Sequence, residues 1–326
     1  MKFKYTVLII TAVAIAGLVL SHDSAGSPGQ YAKTVEAWNK PVEPVRIIGN
    51  IYYVGASDVA SYLITTPEGH FVIDGGFIDT APMIAANIQK LGFKLKDVKI
   101  LLNSHAHFDH AGGLAELKEL TGARLLASRE DAALIAAGGH GDFHFGDQLT
   151  FRPAQADQII QDGEAVRLGG VTLTARLTPG HTKGCTTWTM QVKDAAKIYD
   201  VVFIGSTTIN PGVKLLNEPK YKNIAEDYAR TFRLLKSLHC DVFLGPHANF
   251  FDMDSKRERL RQGASRNPFI DSDGYNAFIK KTENAYLRQL EEERKAGVSG
   301  QGKWPAVSGQ RQGEWSVVGG RWSVGG

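Results

Sequence analysis

Short apolar runs follow one another at residues 51–54, 61–65 and 71–73, the last ending at Asp74, Gly75 and Gly76. Their length and β-branched content predict strands. Residues 80–91 read as a helix, with Pro82 in its first turn, where a missing N–H leaves no bond unmade. A buried strand at 98–102, a helix at 112–120 and a strand at 124–126 come next. The alternation continues through a strand at 172–177 to a strand at 241–244 and a charged helix around 283–295, which predicts an α/β fold with mixed sheets. Residues 22–44, with Pro28, Gly29, Pro41 and Pro44, read as an irregular arm. Residues 138–151 combine glycine, histidine and aromatics without a period and read as a loop near a site. Residues 297–326, rich in glycine and tryptophan, read as a flexible tail.

Composition narrows this picture. A chain that is 43% hydrophobic and 22% charged can bury a sizeable core. The net charge is +3, of which Lys2 and Lys4 supply two, so there is no electrostatic case for nucleic-acid binding. Those lysines, followed by an apolar run at 6–20, read as an export signal over residues 1–21, leaving a domain at 22–296. The run is shorter than the roughly 20 residues that span a membrane. Delivery to the periplasm, with no stable membrane association once the signal is removed, is therefore expected; an uncleaved anchor is the alternative, since no clean A-x-A site follows. An oxidising compartment would permit Cys185 and Cys240 to pair, and sequence leaves their approach open.

The chemistry concentrates after the strand at 98–102, where residues 105–110 read HAHFDH. A loop at the carboxyl edge of a sheet holds ligands rigidly. His105 and His107 can project to one side of an extended loop, while Asp109 and His110 begin the next turn and face a second position. Four donors from one loop cannot all serve one tetrahedral ion that keeps an open position, so two ions are the simpler solution. His181, in the turn after the 172–177 strand, and His247, just beyond the 241–244 strand, supply the missing donors. His22, His70, His140, His144 and His239 lack this context and are left as non-ligands.

H-x-H-x-D-H with a later His181 and His247 resembles the metallo-β-lactamase superfamily, over residues 47–295. The resemblance implies a four-layer αβ/βα sandwich with the metals between two mixed sheets. Asp74 matches the family aspartate that braces the metal loop, as metal sites generally require. Within the superfamily, diiron members carry glutamate where this chain has His107. Glyoxalase II-like enzymes and lactonases place a bridging aspartate after the strand that here reads VVFIGSTTIN, and subclasses B1 and B2 a cysteine; here Ser206 stands in that slot. The nucleases carry an inserted domain for which the step from His181 to His247 leaves no room. Subclass B3 is the most similar.

That resemblance implies one zinc on His105, His107 and His181 and another on Asp109, His110 and His247. It implies hydrolysis of the β-lactam amide of penicillins, cephalosporins and carbapenems by a di-zinc-bound hydroxide, with Asp109 also orienting the attacking water. Ser206 and Thr208 match positions whose hydroxyls face the substrate carboxylate. A monomer acting on a small molecule is expected. A di-zinc hydrolase acting on a lactone or thioester is the alternative, and a zinc-binding protein without useful catalysis a more distant one.

Overall fold

The computed structural model describes residues 29–298. The expected signal segment lies outside the described residues, as does the expected tail beyond its first two positions. Helix α1 (Gly29–Trp38) leads into β1 (Val45–Ile48), β2 (Ile51–Tyr53), β3 (Tyr62–Thr66) and β4 (Gly69–Ile73), then α2 (Ala81–Lys90) and β5 (Val98–Leu102). A short α3 (Phe108–Ala111) precedes α4 (Leu114–Thr121), β6 (Arg124–Ser128), α5 (Arg129–Ala136) and β7 (Gln158–Ile160). These seven strands form one sheet in sequence order, antiparallel from β1 to β4 and parallel from β4 to β7.

The second sheet holds β8 (Ala165–Leu168), β9 (Val171–Leu177), β10 (Thr186–Asp194), β11 (Lys197–Phe203) and β12 (Val242–Leu244). Its first four strands are antiparallel and β12 joins β11 in parallel, after a crossover through α6 (Ile224–Ser237). Helices α7 (Met253–Arg261) and α8 (Ser272–Val298) complete the described residues. Both sheets are mixed, as expected.

Alternation along the strands makes the layers. In β4 and β5, Phe71, Ile73, Ile100 and Leu102 face the core between the sheets, where they meet Trp188, Val202 and Phe203. Val72, Val98 and Leu101 point the other way, onto Ile84, Ile88, Leu114, Leu117 and Ile135 of α2, α4 and α5. A strand buried on both faces is apolar at most positions, which is why these runs lack a polar face; the exception in β5 is Lys99, which is exposed. Each such side chain fully buried contributes roughly 1.5–3 kcal/mol. On the second sheet, Tyr228 and Phe232 of α6 stack with Tyr286 of α8 against the same core.

One expectation fails. Part of the expected irregular arm is the helix α1, whose Tyr31, Val35 and Trp38 recur at helical spacing. Val35 and Trp38 pack against a small cluster of Ala56, Val59 and Phe77. Pro41 and Pro44 do interrupt the chain, but only after this helix has ended.

Candidate metal centre

The histidine cluster begins where β5 ends, and the loop is held by Asp74. This residue sits at φ 64°, in the left-handed region, which aims its carboxylate back into the fold. Its Oδ1 accepts hydrogen bonds from the Ser104 amide (2.7 Å) and Asn103 Nδ2 (3.1 Å), and its Oδ2 accepts one from Ser104 Oγ (2.6 Å). Burial pushes the Asp74 carboxyl up to about 6, against the pull of His110 and these donors. Gly75, which follows, and Gly113 let the start of α4 approach: a Cβ on Gly75 would sit 2.6 Å from the Leu114 nitrogen, and one on Gly113 2.3 Å from the Gly75 oxygen. Asp74 thus braces the loop as expected.

His105 lies in the loop after β5, His107 on extended backbone just before α3, and Asp109 and His110 in the single turn of α3. His181 comes from the β9–β10 loop, tied to the first loop by the Thr186 amide on the Ser104 carbonyl (2.7 Å). His247 follows β12, fixed by a bridge to Val59 and by the Ala60 amide on the Pro246 carbonyl (2.8 Å). The donor atoms of His105, His107 and His181 converge within 4.8 Å, as do those of His105, Asp109 and His110. His107 Nδ1 is 3.0 Å from His181 Nε2; His110 Nε2 is 3.3 Å from His247 Nε2 and from Asp109 Oδ2, which is 3.6 Å from His247 Nε2. All six expected ligands are brought together.

Five imidazoles and one carboxylate without sulfur form a donor set suited to zinc. Burial lowers His105 and His181 well below the ordinary histidine range and His107 to about 3, so all three rings keep a free lone pair at neutral pH. Burial acts the same way on His110, but the Asp109, Asp74 and Asp58 carboxylates outweigh it and raise that ring. Buried imidazoles whose nitrogens face each other at hydrogen-bond distance fit a cation placed between them.

The outward nitrogens show how the rings are held, a requirement of metal sites. His105 Nδ1 meets Ser104 Oγ (3.1 Å), His181 Nδ1 the Thr208 carbonyl (2.8 Å) and His247 Nδ1 the Asp58 carboxylate (2.9 Å). That Thr208 carbonyl also accepts the Tyr228 hydroxyl (2.7 Å), so α6 supports His181 from behind. Asp131, buried at the start of α5, links the two loops of the first triad: its carboxylate accepts from the Ala106 amide (3.0 Å), Thr182 Oγ1 (3.1 Å) and the Gly184 amide (3.1 Å). Asp58 and Asp131 escape a sequence reading because an aspartate in a turn or a first helical turn looks like any cap.

Ser206 and Thr208 follow β11, their hydroxyls 3.2 Å apart, with Thr208 Oγ1 3.4 Å from His181 Nδ1. Ser206 is buried and Thr208 half-buried. The 138–151 loop does reach the site: the Phe145 ring lies 5.0 Å from that of His107. The Trp38 ring of α1 lies 4.9 Å from His247. Cys185 and Cys240 are buried and unpaired, which closes the question of their disulfide. Among the unassigned histidines, His70 accepts the Thr66 amide, His140 faces Asp147, His144 lies beside Phe145, and His239 faces Asp200 and Asp241 on the surface.

Residues 54–247 match the sequence profile of the metallo-β-lactamase superfamily. The chain belongs to that superfamily. It is similar to the solved FEZ-1 metallo-β-lactamase of Legionella gormanii, at 47% identity and a TM-score of 0.77, covering 78% of this chain and 98% of that one. BJP-1, a subclass B3 metallo-β-lactamase of Bradyrhizobium japonicum, is 38% identical with a TM-score of 0.75, covering 81% and 99%. A hydroxyacylglutathione hydrolase of Rhodopseudomonas palustris (strain BisB5) is 32% identical over 126 residues, covering 39% of this chain and 41% of the relative. The chain thus spans about two fifths of the length of the curated relatives it matches. As a superfamily member with this donor cluster, the protein is a metallo-hydrolase.

Proposed function

We propose that the protein is a subclass B3-like metallo-β-lactamase that opens the β-lactam ring of penicillins, cephalosporins and carbapenems. The observation that carries this reading is Ser206. After β11 the chain runs Ile204, Gly205, Ser206, Thr207, Thr208, with no carboxylate to bridge two metals as in the glyoxalase II-like enzymes it resembles. The second triad instead completes itself with His110 and His247. The near-complete coverage of FEZ-1 and BJP-1 supports the same choice over the partial match to the hydroxyacylglutathione hydrolase.

His105, His107 and His181 would hold one zinc ion and Asp109, His110 and His247 a second. Zinc supplies a water acidified to a pKa of about 7 and a Lewis acid for the amide carbonyl. The chain's own residues then orient the reactants. Asp109 Oδ2, directed toward His110 and His247, accepts a hydrogen bond from the attacking water. Thr208 and Ser206 donate hydroxyl hydrogen bonds to the substrate carboxylate. Trp38 beside His247 and Phe145 beside His107 shield the histidines from bulk water. We further propose that residues 1–21 direct export to the periplasm and that the enzyme acts as a monomer; cell fractionation and light scattering check these.

The deciding experiment compares turnover of a chromogenic cephalosporin, a penicillin and a carbapenem with that of S-D-lactoylglutathione and an acyl homoserine lactone. The zinc-loaded enzyme is expected to turn over all three β-lactams faster than either of the others. A kcat/KM ranking led by the thioester would overturn the assignment in favour of a glyoxalase II-like hydrolase.

A further inference from the structure

We infer that Asp142 is a positioning residue that sets the proton on His107 and couples the 138–151 loop to the first metal triad. The inference rests on the reading above only in that His107 is a metal donor. His105, His181 and His247 are each held through Nδ1, leaving Nε2 to face the cluster. His107 is turned the other way: its Nδ1 faces His181 Nε2 at 3.0 Å and its Nε2 points outward. An imidazole that offers the Nδ1 lone pair must carry its proton on Nε2. That Nε2 is buried and has no hydrogen-bond partner. The group it faces is Asp142 Oδ2, 3.7 Å away and itself only 4% exposed. A hydrogen bond needs a distance below about 3.2 Å, a closure that a small rotation of the ring upon metal binding can provide.

The same carboxylate fixes the loop. Asp142 Oδ1 accepts the backbone amides of His144 (2.8 Å) and Phe145 (2.6 Å). Phe145 in turn sets its ring 5.0 Å from His107, 5.9 Å from Phe108 and 6.1 Å from Tyr31 of α1. One buried side chain therefore joins the proton position of a metal donor to the placement of an aromatic wall. Coupling of this kind is reciprocal. Metal in the first triad steadies the loop, and displacement of the loop weakens the first triad.

The test uses the full chain as wild type, Asp142→Ala and Asp142→Asn, with no substrate present. Zinc affinity is measured by competition with a chromophoric chelator, and ring nitrogens are followed by NMR of the 15N-histidine-labelled protein. Asp142→Ala is expected to weaken one of the two zinc sites by roughly 10- to 100-fold while leaving the other unchanged. Asp142→Asn, whose amide oxygen still accepts, should fall between. The slowly exchanging Nε2–H of His107 should be seen in the zinc-loaded wild type, shift in Asp142→Asn and vanish in Asp142→Ala. Zinc should also slow amide exchange at His144 and Phe145 in the wild type but not in Asp142→Ala. Two sites of wild-type affinity in Asp142→Ala would overturn the inference. If that variant does not fold, unchanged affinity and an unshifted Nε2–H in Asp142→Asn overturn it equally. A merely structural role would lower thermal stability without separating the two sites. Failure of the wild type to hydrolyse β-lactams would refute the proposed function and leave these readouts intact.

Discussion

Asp131 shows how much one buried carboxylate can hold. Burial raises its carboxyl from 3.8 to about 7, against three donors that favour the charged form. Between pH 4 and 7 the folded chain therefore binds a proton that the unfolded chain has released, so this residue's contribution to stability falls as pH rises through that window. Asp131→Asn sets an amide NH2 against at least one of the three donors and should cost about 1–3 kcal/mol. Because asparagine does not titrate, the gap between wild type and variant should be wider at pH 4.5 than at pH 7.5 in urea unfolding of the metal-free proteins. A gap that widens with pH would show that the donors outweigh burial. Ser206 and His247 make a second pair at this scale. Ser206→Ala should keep two zinc ions per chain and lose a hydroxyl contact of about 1 kcal/mol, seen mainly in KM. His247→Ala should release the second zinc. Metal analysis of both purified variants checks the assignment, and the reverse result would sink it.

Helix α1 matters less for its own stability than for the loop it anchors. The Trp38 carbonyl accepts the Asp58 amide (3.0 Å), and the Ala37 carbonyl accepts Ser57 Oγ (2.8 Å), so the end of the helix positions the 56–59 turn. Asp58 in that turn orients His247, while the Trp38 ring covers the same histidine. Trp38→Ala should cost roughly 1–2 kcal/mol of stability from the partly buried ring. It should also weaken the second zinc site in equilibrium titration. Stability lost with both zinc affinities intact would mean that the helix is only a cover. Sequence reading missed this helix because Pro41 and Pro44 dominate the segment, while the Tyr31, Val35, Trp38 stripe spans only about two turns.

Across the whole molecule, the metal donors are where the two sheets meet. His105, His107, Asp109 and His110 follow a strand of the first sheet, and His181 and His247 follow strands of the second. A metal held by both sets cross-links the layers and is bound by the folded chain alone, which adds about 4 kcal/mol when free zinc is a thousandfold above its dissociation constant. EDTA is expected to abolish turnover and lower the melting temperature. Zinc should restore both, whereas magnesium, which prefers oxygen donors, should restore neither. Equal melting temperatures with and without zinc would contradict the cross-link.

The legible part of this protein was whatever depends on near neighbours in the chain. Largely apolar runs announced strands buried on both faces, and β5 fell where its run predicted, at Val98–Leu102. HAHFDH placed directly after that strand announced a metal loop, because ligand type and spacing are local properties. His181 and His247 were legible as strand-end histidines once that loop was recognised. The residues that orient those ligands were not. Asp58 and His247 are 189 positions apart and Asp131 and Gly184 are 53 apart, and no periodicity links such pairs. Their aspartates differ from ordinary turn and helix-start residues only in what packs against them. The two cysteines carried the same ambiguity until the fold buried them apart. Ligand identity is written in the chain, whereas ligand orientation and the proton on each ring follow from contacts that exist only after the two sheets close on one another.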